Sequence, residues 1–353
     1  MKTVENGSAR LETEVINDPF HLASVKKRVA IVMATYNGGR FVEEQIRSIQ
    51  AQSYQAWVLY VRDDGSRDDT VQKVLKIGLE DHRIKLVRDE LGSQGAKGNF
   101  SSLMKVALED GADYLFLADQ DDVWLPEKLA IMLGVMYKLE TNSDESTPLL
   151  VHCDLMVVND ELELTANSFV NLSRLTPGTA ELGVFLCQNQ VTGCACLINR
   201  ALLELTVPVP NSVIMHDWWC ALLASAVGKI EFIPKPLVIY RQHGGNVIGA
   251  MSLGEKVRLL LHSPKQWKFR MEIVRRSFMQ ATMLEERIYA RGGVLQVGIL
   301  SQINSYSHIL DLSPLKRVHC LNAQKIGKQE ILARCFFNLL ITLMRKIEAN
   351  SGA

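Results

Sequence analysis

The chain has 353 residues, of which 47% are hydrophobic, and its basic and acidic residues are equal in number. This composition allows one large domain with an appendage or two modest domains. From residue 251 onward there are sixteen Lys and Arg against seven Asp and Glu, which leaves twenty-three against thirty-two in the first 250. An acidic part beside a basic part argues against general nucleic-acid binding and fits contact with an anionic surface such as a membrane.

The N-terminal segment and the cysteines both indicate an intracellular protein. Residues 1–27 are polar and lack the apolar core of a signal peptide, so a flexible tail is predicted there. The seven cysteines form no Cys-x-x-Cys pair, which predicts reduced, structural thiols in the cytosol. Cys194 and Cys196 alternate along a predicted strand and should face the same side, although a zinc site would need two further ligands.

Two buried strands are predicted early in the chain, over 29–34 and 58–61, because both segments are apolar runs. Amphipathic spacing predicts a helix over 41–49, and the segment 66–69 fits a capping box that opens the next helix. Polar residues follow each strand, namely Thr35, Tyr36, Asn37, Asp63 and Asp64. An Asp-Asp-Gly-Ser turn also forms without a ligand, and Tyr36 is equally consistent with a core aromatic residue at a strand end.

A glycine-rich segment, 92–100, separates a short predicted strand at 84–87 from a predicted helix at 100–108. This segment contains Lys97 and Asn99. Glycines beside a lysine would let the backbone approach a diphosphate, and a plain connection between strand and helix is an equal alternative. The pattern is not a P-loop, because the spacing of glycines before a Gly-Lys-Ser or Gly-Lys-Thr sequence is missing.

The apolar run 115–118 stops at three aspartates, Asp119, Asp121 and Asp122. Carboxylates this close repel one another unless a cation neutralises them, and oxygen ligands are those that Mg²⁺ and Mn²⁺ use. The pattern favours a divalent metal site, with a solvated loop of helix-capping aspartates as the alternative. Because ligands bind at the carboxyl ends of strands in an open α/β sheet, these aspartates should lie beside the polar residues that follow the first two strands.

A second group of polar residues is predicted further along the chain. A turn at 189–193 leads into a strand, and Gly193 permits close backbone approach there, so we place the sugar or the acceptor against it. His216, Asp217 and Trp218 precede an apolar helix predicted over 220–227. An aspartate at this position is consistent with a catalytic base, with a residue stabilised by the helix dipole, or with both.

Arg241 and His243 follow a strand predicted over 236–240. Arg241 would supply positive charge to a phosphate. His243 either ligates the metal or binds a phosphate oxygen, and the alternative is an ordinary surface or hydrogen-bonded histidine. The glycines that follow indicate a loop able to close over a diphosphate.

The C-terminal part has helical spacing over 253–261, 267–288 and 331–344, with basic residues interleaved. The last of these segments is apolar but shorter than the ~20 residues that a bilayer span needs. Two interpretations remain, namely helices that pack on the core or on a second subunit, and an interfacial anchor at a membrane.

Four motifs occur in order across residues 28–250, and they read Ala34-Thr35-Tyr36-Asn37, Asp63-Asp64-Gly65-Ser66, Asp119-Gln120-Asp121-Asp122 and His216-Asp217-Trp218-Trp219. Together they resemble glycosyltransferase family 2, the inverting nucleotide-sugar transferases of GT-A fold. Within that family, the wording of 119–124 and 240–246 is most similar to bacterial rhamnosyltransferases. The resemblance implies an α/β fold, with a GT-A nucleotide-binding sheet flanked by helices over 28–250 and a mostly helical C-terminal extension over 251–353.

The resemblance also implies a role for each matching position. Asp217 is expected to be the catalytic base, and Asp63 or Asp64 is expected to accept a hydrogen bond from N3–H of a uracil or thymine. The residues expected to bind the nucleotide are Thr35, Tyr36, Asn37, Asp63, Asp64, Lys97, Asn99, Asp119 and Arg241. Those expected to hold the metal are Asp119, Asp121 and His243. Those expected to contact the sugar or the acceptor are Trp124, Gly193, His216 and Trp218, and His216 departs from the family, which usually carries Glu there.

The function that this resemblance implies is transfer of a sugar, with L-rhamnose from dTDP-L-rhamnose as the candidate, to a saccharide or lipid-linked saccharide of the cell surface. The donor is a dTDP- or UDP-linked sugar, the cofactor is Mg²⁺ or Mn²⁺, and no nucleic acid takes part. We expect a cytoplasmic protein, and we also consider peripheral contact with the inner face of the membrane and a homo-oligomer formed through the C-terminal helices. The alternatives are a nucleotidyltransferase, which would need no base at Asp217, and an inactive nucleotide-sugar-binding protein.

Overall fold

A nine-stranded sheet runs through the protein, whose computed structural model describes residues 27–178, 181–242 and 264–344. Eight strands follow the order β3-β2-β1-β4-β8-β6-β9-β5, and β7 pairs with β6 beside this path. Strands β3, β2, β1 and β4 are parallel, whereas β8 is antiparallel to both of its neighbours. The strands are β1 Val29–Thr35, β2 Trp57–Asp63, β3 Ile84–Val87, β4 Tyr114–Ala118, β5 Val123–Trp124, β6 Leu149–Val158, β7 Leu164–Ala166, β8 Cys196–Asn199 and β9 Lys229–Arg241.

Helices cover both faces of this sheet and form the C-terminal part. They are α1 Val42–Gln50, α2 Thr70–Glu80, α3 Gly95–Glu109, α4 Lys128–Thr141, α5 Phe169–Ser173, α6 Leu182–Phe185, α7 Arg200–Thr206, α8 His216–Val227, α9 Pro264–Ala290, α10 Val297–Ser307, α11 Pro314–Ala323 and α12 Ile331–Leu343. Single 3₁₀ turns lie at Gly193–Ala195 and Ile309–Asp311. The predicted α/β sheet with flanking helices and a helical C-terminal part is confirmed.

Two hydrophobic cores lie on opposite faces of the sheet. Successive side chains of a strand point to opposite faces, so Ala30 and Val32 enter one core while Ile31 and Met33 enter the other. Burial on both faces is why these parallel strands are apolar throughout. The first core continues into the C-terminal helices, where it includes buried aromatic residues such as Phe337. The described C-terminal helices therefore pack on the α/β part of the same chain.

Arg317 stabilises the C-terminal end of this helical part through hydrogen bonds. Its side chain is buried, and Nη1 donates hydrogen bonds to the carbonyl oxygens of Ile341 at 2.8 Å and Met344 at 2.6 Å. The other guanidinium nitrogens donate to the carbonyl oxygens of Leu310 and Leu312. These four carbonyl groups at helix ends would otherwise lack a partner.

The carboxyl ends of β1, β2 and β4 meet at one edge of the sheet. Thr35 pairs with Asp63 across β1 and β2, and Met33 pairs with Ala118 across β1 and β4. The polar residues that follow these three strands are therefore neighbours, as ligand binding at a strand edge requires.

The predicted capping box at 66–69 is wrong. Helix α2 begins at Thr70, and its N-cap residue Asp69 makes no side-chain capping bond. Ser66 belongs instead to the preceding turn, where its hydroxyl donates to Asp63 Oδ1 at 2.5 Å and accepts from the backbone N–H of Asn37 at 2.7 Å. The Ser66 hydroxyl therefore makes its hydrogen bonds within the turn that precedes the helix, and it does not cap the helix.

Two other sequence predictions also need correction. Helix α3 begins at Gly95, so most of the segment predicted as a glycine-rich loop is helix. Cys194 lies in a 3₁₀ turn and Cys196 begins β8, so their side chains enter opposite cores instead of one face. All seven cysteines fall within the described residues and all are free. The predicted N-terminal tail, His243 and the helix over 253–261 lie outside the described residues, apart from Lys27.

Candidate active site

A cavity of about 540 Å³ opens where β1, β2 and β4 end. Its walls include nine residues for which the sequence suggested a role, namely Thr35, Tyr36, Asp64, Asn99, Asp119, Asp121, Gly193, His216 and Asp217. The walls also include residues that the sequence left without a role, such as Ser93, Phe100, Gln120, Met215 and Tyr240. The cavity thus joins residues from the first and the second group of polar turns.

Gln120 links the turn after β4 to the turn after β1. Its Oε1 accepts a hydrogen bond from Tyr36 N at 2.9 Å, and its Nε2 donates to Tyr36 O at 3.1 Å. The Tyr36 side chain is 54% exposed, so its ring lies at the cavity rim and is not a core aromatic. Asn37 adopts φ of 48°, a left-handed conformation that asparagine tolerates, and its side chain accepts the backbone N–H of Arg67.

Asp64 lies in the cavity wall, and its carboxylate is engaged by four protein donors. It accepts hydrogen bonds from Ser93 Oγ at 2.8 Å and from the backbone of Gln94 at 2.6 Å and Gly95 at 2.8 Å. Arg62 pairs with it at 3.2 Å. Burial raises the pKa of Asp64, but these hydrogen bonds outweigh burial and hold the pKa below its usual value. The charged carboxylate fixes the start of α3 beside the cavity.

Two other residues that were predicted to bind the nucleotide, Asp63 and Lys97, make hydrogen bonds with protein groups. Asp63 accepts a hydrogen bond from Thr35 Oγ1 at 2.9 Å and others from the turn that follows β2. Lys97 Nζ donates to the carbonyl oxygen of Val213 at 2.8 Å and also to that of Asn211. Neither Asp63 nor Lys97 is among the cavity-lining residues.

A cluster with two aspartates includes Asp119 of the cavity wall and the buried residues Asp122 and Cys194. The ligand atoms of Asp119, Asp122 and Cys194 all lie within 4.8 Å of one another. Burial and the charges of Asp121 and Asp217 raise the pKa of Asp119 to about 7, and burial likewise raises the pKa of Asp122. The Oδ2 atom of Asp122 is buried and has no hydrogen-bond partner in the described part of the chain. These residues fit a divalent cation, which would neutralise the repulsion.

This cluster differs in part from the predicted metal ligands. Asp119 belongs to it, and Asp121 lines the cavity beside it. The sequence predicted a structural thiol at Cys194. Cys194 follows Gly193 directly, in a polar turn that enters a strand, and this position is the signal that could have placed it near the site. His243 lies outside the described residues.

Arg241 supports the aspartate turn, and its guanidinium does not reach the cavity. Its Nε donates to the carbonyl oxygen of Asp121 at 2.9 Å, and its backbone N–H donates to Asp122 Oδ1 at 3.3 Å. The guanidinium also pairs with Glu44 and donates to the carbonyl oxygen of Asp160. The side chain predicted to meet a phosphate is therefore used to join the turn to two other segments.

Lys128 is a buried cation below the acidic cluster. Its Nζ donates to the carbonyl oxygen of Cys194 at 2.6 Å and lies 3.2 Å from the ring centroid of Trp124. Burial lowers the pKa of Lys128 to about 8. Trp124 is 2% exposed, so the structure places this ring in the core under the cavity instead of against a sugar. A cation–π contact of this kind is strong when desolvated.

Asp217 lies in the first turn of α8 and faces the cavity. Its Oδ1 accepts the backbone N–H of Trp218 at 2.6 Å, and the side chain of Asn189 and the backbone of Gly193 supply further hydrogen bonds. Burial raises the pKa of Asp217 to about 6, and these hydrogen bonds oppose the rise. A carboxylate that is ionised at neutral pH yet more basic than usual is suited to remove a proton. The sequence alone had given Asn189 no role of its own.

The two residues beside Asp217 have different surroundings. His216 lines the cavity, and its ring stacks on Phe100 with centroids 4.0 Å apart. Trp218 is 7% exposed, and its Nε1 donates to the carbonyl oxygen of Phe185 at 2.6 Å. The structure therefore brings His216 to the cavity and places Trp218 in the core, where it anchors α8.

Comparison with known proteins finds one matching family model and several similar sequences. The model of the family described as Glycosyl transferase family 2 matches residues 30–143. The dTDP-rhamnosyl transferase RfbG of Shigella flexneri is 25% identical over 253 residues, which cover 69% of this chain and 82% of that protein. The UDP-Glc:alpha-D-GlcNAc-diphosphoundecaprenol beta-1,3-glucosyltransferase WfgD of Escherichia coli is 36% identical over 110 residues, which cover 31% of this chain and 41% of that protein.

Solved structures share the architecture. S. aureus TarS 1-349 in complex with UDP-GlcNAc matches with a TM-score of 0.52 at 15% identity, over 85% of this chain and 88% of that chain. The mannosyltransferase PcManGT from Pyrobaculum calidifontis, in complex with GDP-Man and Mn²⁺, matches with a TM-score of 0.50 at 16% identity, over 90% of this chain and 80% of that chain. The GT-A fold predicted from the sequence is confirmed.

Proposed function

We propose that this protein, a glycosyltransferase with a family 2 domain over residues 30–143, transfers a sugar with inversion from a nucleoside-diphosphate donor to a saccharide acceptor. The observation that carries the proposal is one cavity that contains both a buried base, Asp217, and an acidic floor at Asp119 and Asp121. Asp119 and Asp217 line the same cavity, and the charge of Asp217 is one of the causes that raise the pKa of Asp119. Base and leaving-group site thus face the same space.

The chemistry follows from this arrangement. Asp217 removes the proton of the acceptor hydroxyl, and the resulting oxygen attacks the anomeric carbon from the face opposite the diphosphate. A divalent cation held by Asp119 with Asp121, or with Asp122 and Cys194, would offset the charge that develops on the departing diphosphate. Helix α8 holds the carboxylate in place through its first turn, where negative charge is stabilised. No proton donor for the leaving group is then needed.

We further propose that the donor is dTDP-L-rhamnose. Residues 119–124 resemble rhamnosyltransferases, and a relative carries the name dTDP-rhamnosyl transferase. In the cavity wall, Phe100 and Met215 provide apolar surface beside the polar groups. Such a mixture suits a deoxy sugar, whose methyl group is apolar and whose remaining hydroxyl groups need partners.

A donor panel tests this proposal. With Mn²⁺ present, we expect release of dTDP from dTDP-L-rhamnose to exceed release of nucleoside diphosphate from UDP-glucose, UDP-GlcNAc and GDP-mannose by at least about tenfold, because a pocket built for one set of hydroxyl groups rejects others. Release is measured by chromatography of the nucleotides, and enzyme with Asp217 replaced by asparagine is the control. Formation of nucleoside triphosphate and sugar 1-phosphate when pyrophosphate is added to the nucleotide sugar would instead identify a nucleotidyltransferase, and nucleotide binding without any release would identify an inactive binding protein.

We also propose that the protein contacts the inner face of a membrane through α12. One face of this helix is buried in the core by Phe337, Leu340 and Ile341, whereas the opposite face leaves Leu332 and Leu339 exposed. The remaining exposed members of this stripe are Ile331, Cys335 and Leu343. No helix in the described ranges is both long and apolar enough to cross a bilayer. An exposed apolar stripe in a basic part of the chain suits surface contact with anionic lipid.

Substitutions on the exposed face test this contact without removing the core. We expect the full-length protein to bind phosphatidylglycerol vesicles at low salt and to dissociate as salt rises. Replacing Leu332 and Leu339 together with glutamate should weaken binding by roughly tenfold or more, since two leucines lose apolar burial. The matched control replaces Leu79 with glutamate, because Leu79 lies on α2 and is 82% exposed. Equal sedimentation of both variants, or no binding of wild type, would rule out the contact.

A further inference from the structure

His216 is a buried side chain whose polar atoms are unused. It is 5% exposed, and neither Nδ1 nor Nε2 has a hydrogen-bond partner in the described ranges. Leaving a buried donor or acceptor unpaired destabilises the folded state, and native proteins pair nearly all such groups. Because His216 lines the cavity, a ligand can provide the missing partner.

The free nitrogen and the catalytic carboxylate converge on one point. A Cβ atom built on Gly193 would lie 3.2 Å from His216 Nε2 and 3.9 Å from Asp217 Oδ2. Glycine has no side chain here, so a ligand in the cavity can approach the backbone of Gly193 with His216 Nε2 and Asp217 Oδ2 both beside it. A group bound above Gly193 therefore meets the imidazole and the base together.

The chemistry of the imidazole restricts what this group is. Burial lowers the pKa of His216 to about 3, so the ring is neutral at physiological pH. In a neutral imidazole Nε2 either donates or accepts a hydrogen bond, according to the tautomer, and a hydroxyl group complements both states because it is itself donor and acceptor. A phosphate oxygen would use only the donor. The nucleotide side of the cavity, at Tyr36 and Asp64, is built from the other group of turns, so the partner of His216 belongs to the reacting sugars.

We propose that His216 binds a hydroxyl group of the acceptor sugar next to the hydroxyl that Asp217 deprotonates, and so selects acceptors with two adjacent hydroxyl groups. This proposal rests on the transferase function proposed above. The adjacent hydroxyl is the better partner, because a donor directed at the attacking oxygen would occupy a lone pair that must reach the anomeric carbon. The proton goes from the attacking hydroxyl to Asp217, and His216 keeps its own protonation state throughout.

The experiment compares wild type with the variants His216→Phe and His216→Gln. Phenylalanine preserves the ring that stacks on Phe100 and removes both nitrogen atoms, whereas glutamine restores a donor and an acceptor. The matched control is His152→Phe. Like His216, His152 is buried, at 2% exposed, and its Nε2 has no hydrogen-bond partner in the described ranges. It lies in β6 and is not among the cavity-lining residues. The probes are dTDP-L-rhamnose and octyl glycosides of glucose, galactose and N-acetylglucosamine, together with monodeoxy analogues of the best acceptor.

We expect His216→Phe to lower kcat/KM for the acceptor by roughly tenfold, the value of a lost neutral hydrogen bond in a buried site, while the affinity for dTDP stays within about twofold of wild type. His216→Gln should recover part of the loss. With the monodeoxy acceptor that lacks the adjacent hydroxyl, wild type and His216→Phe should react equally, because the two changes remove the same interaction. The control His152→Phe should use every acceptor as wild type does.

A second measurement does not depend on any acceptor. If the two nitrogen atoms are unpaired in the free enzyme, His216→Phe should raise the melting temperature by about 2 °C, as removal of an unsatisfied buried group predicts. A lower melting temperature would mean that His216 is structural and would overturn the proposal. The proposal also fails if His216→Phe loses dTDP affinity, if its defect persists with every monodeoxy analogue, or if wild type consumes the donor but no glycoside accelerates release. Absence of any nucleotide release by wild type would instead overturn the transferase function itself.

Discussion

Replacing Asp217 with asparagine should lower turnover by roughly 10²- to 10⁴-fold, the usual contribution of a general base. Asparagine has nearly the same shape and still accepts the backbone N–H of Trp218 that holds the aspartate at 2.6 Å. It cannot take a proton, so only the chemical step should suffer. The measurement is turnover at saturating donor, with dTDP affinity determined separately by calorimetry. Loss of dTDP affinity would indicate a structural role, and wild-type turnover would refute the assignment.

The pH dependence of the reaction is a second test of the role of Asp217. Burial raises the pKa of Asp217 to about 6, so the carboxylate becomes protonated, and therefore inactive as a base, as the pH falls through that value. Wild-type kcat/KM should decrease about tenfold for each pH unit below this point, because kcat/KM reports the ionisation of the free enzyme. The asparagine variant should lack this acidic limb. A wild-type profile that stays flat between pH 7 and pH 5 would contradict the raised pKa.

Replacing Asp121 with alanine should abolish transfer and also remove the Mn²⁺-dependent stabilisation of the protein by dTDP. The reason is that a cation at the acidic floor joins the protein to the diphosphate, so nucleotide and metal each strengthen binding of the other. The measurement is the thermal shift with dTDP, with and without Mn²⁺. Replacing Asp144, an exposed aspartate in the loop after α4, is the control. Equal dTDP affinity of wild type with and without Mn²⁺ would contradict the prediction.

The structure gives this experiment a second arm. The cluster that includes Asp119 of the cavity wall also contains the buried residues Asp122 and Cys194. Replacing Asp122 with asparagine keeps the size of the side chain and removes its charge, so the Mn²⁺ dependence of dTDP binding should weaken if this cluster holds the cation. If only the Asp121 variant changes, the cation is bound by Asp119 and Asp121 alone.

The sheet could be predicted because strands buried on both faces are apolar throughout their length. That rule placed the strands at 29–34, 58–61 and 115–118, and the register of β1 with β2 and β4 then brought their polar ends together. Helix α1 followed from amphipathic spacing, and α8 was predicted as an apolar helix over 220–227, although it begins four residues earlier, at His216. These features depend on local patterns, which a single sequence contains.

Contacts between distant segments could not be predicted in this way. The two hydrogen bonds between Gln120 and Tyr36 join residues 84 positions apart, and nothing in either motif identifies the partner. The family resemblance implied that Trp124 and Trp218 contact the sugar or the acceptor, but both rings lie in the core and support the site from there. Their depth is decided by packing of neighbouring elements, which sequence spacing does not contain.

The hydrophobic core shared by the sheet and the C-terminal helices has a consequence for how this enzyme can change. Side chains of α9, α10 and α12 fill the same cluster as those of α8, whose first turn contains Asp217. Parts that share a core unfold together. A substitution in the C-terminal helices should therefore change the stability of α8 as well, and exchange of this region between homologues should keep the fold only when the core-facing residues of α8 are exchanged with it.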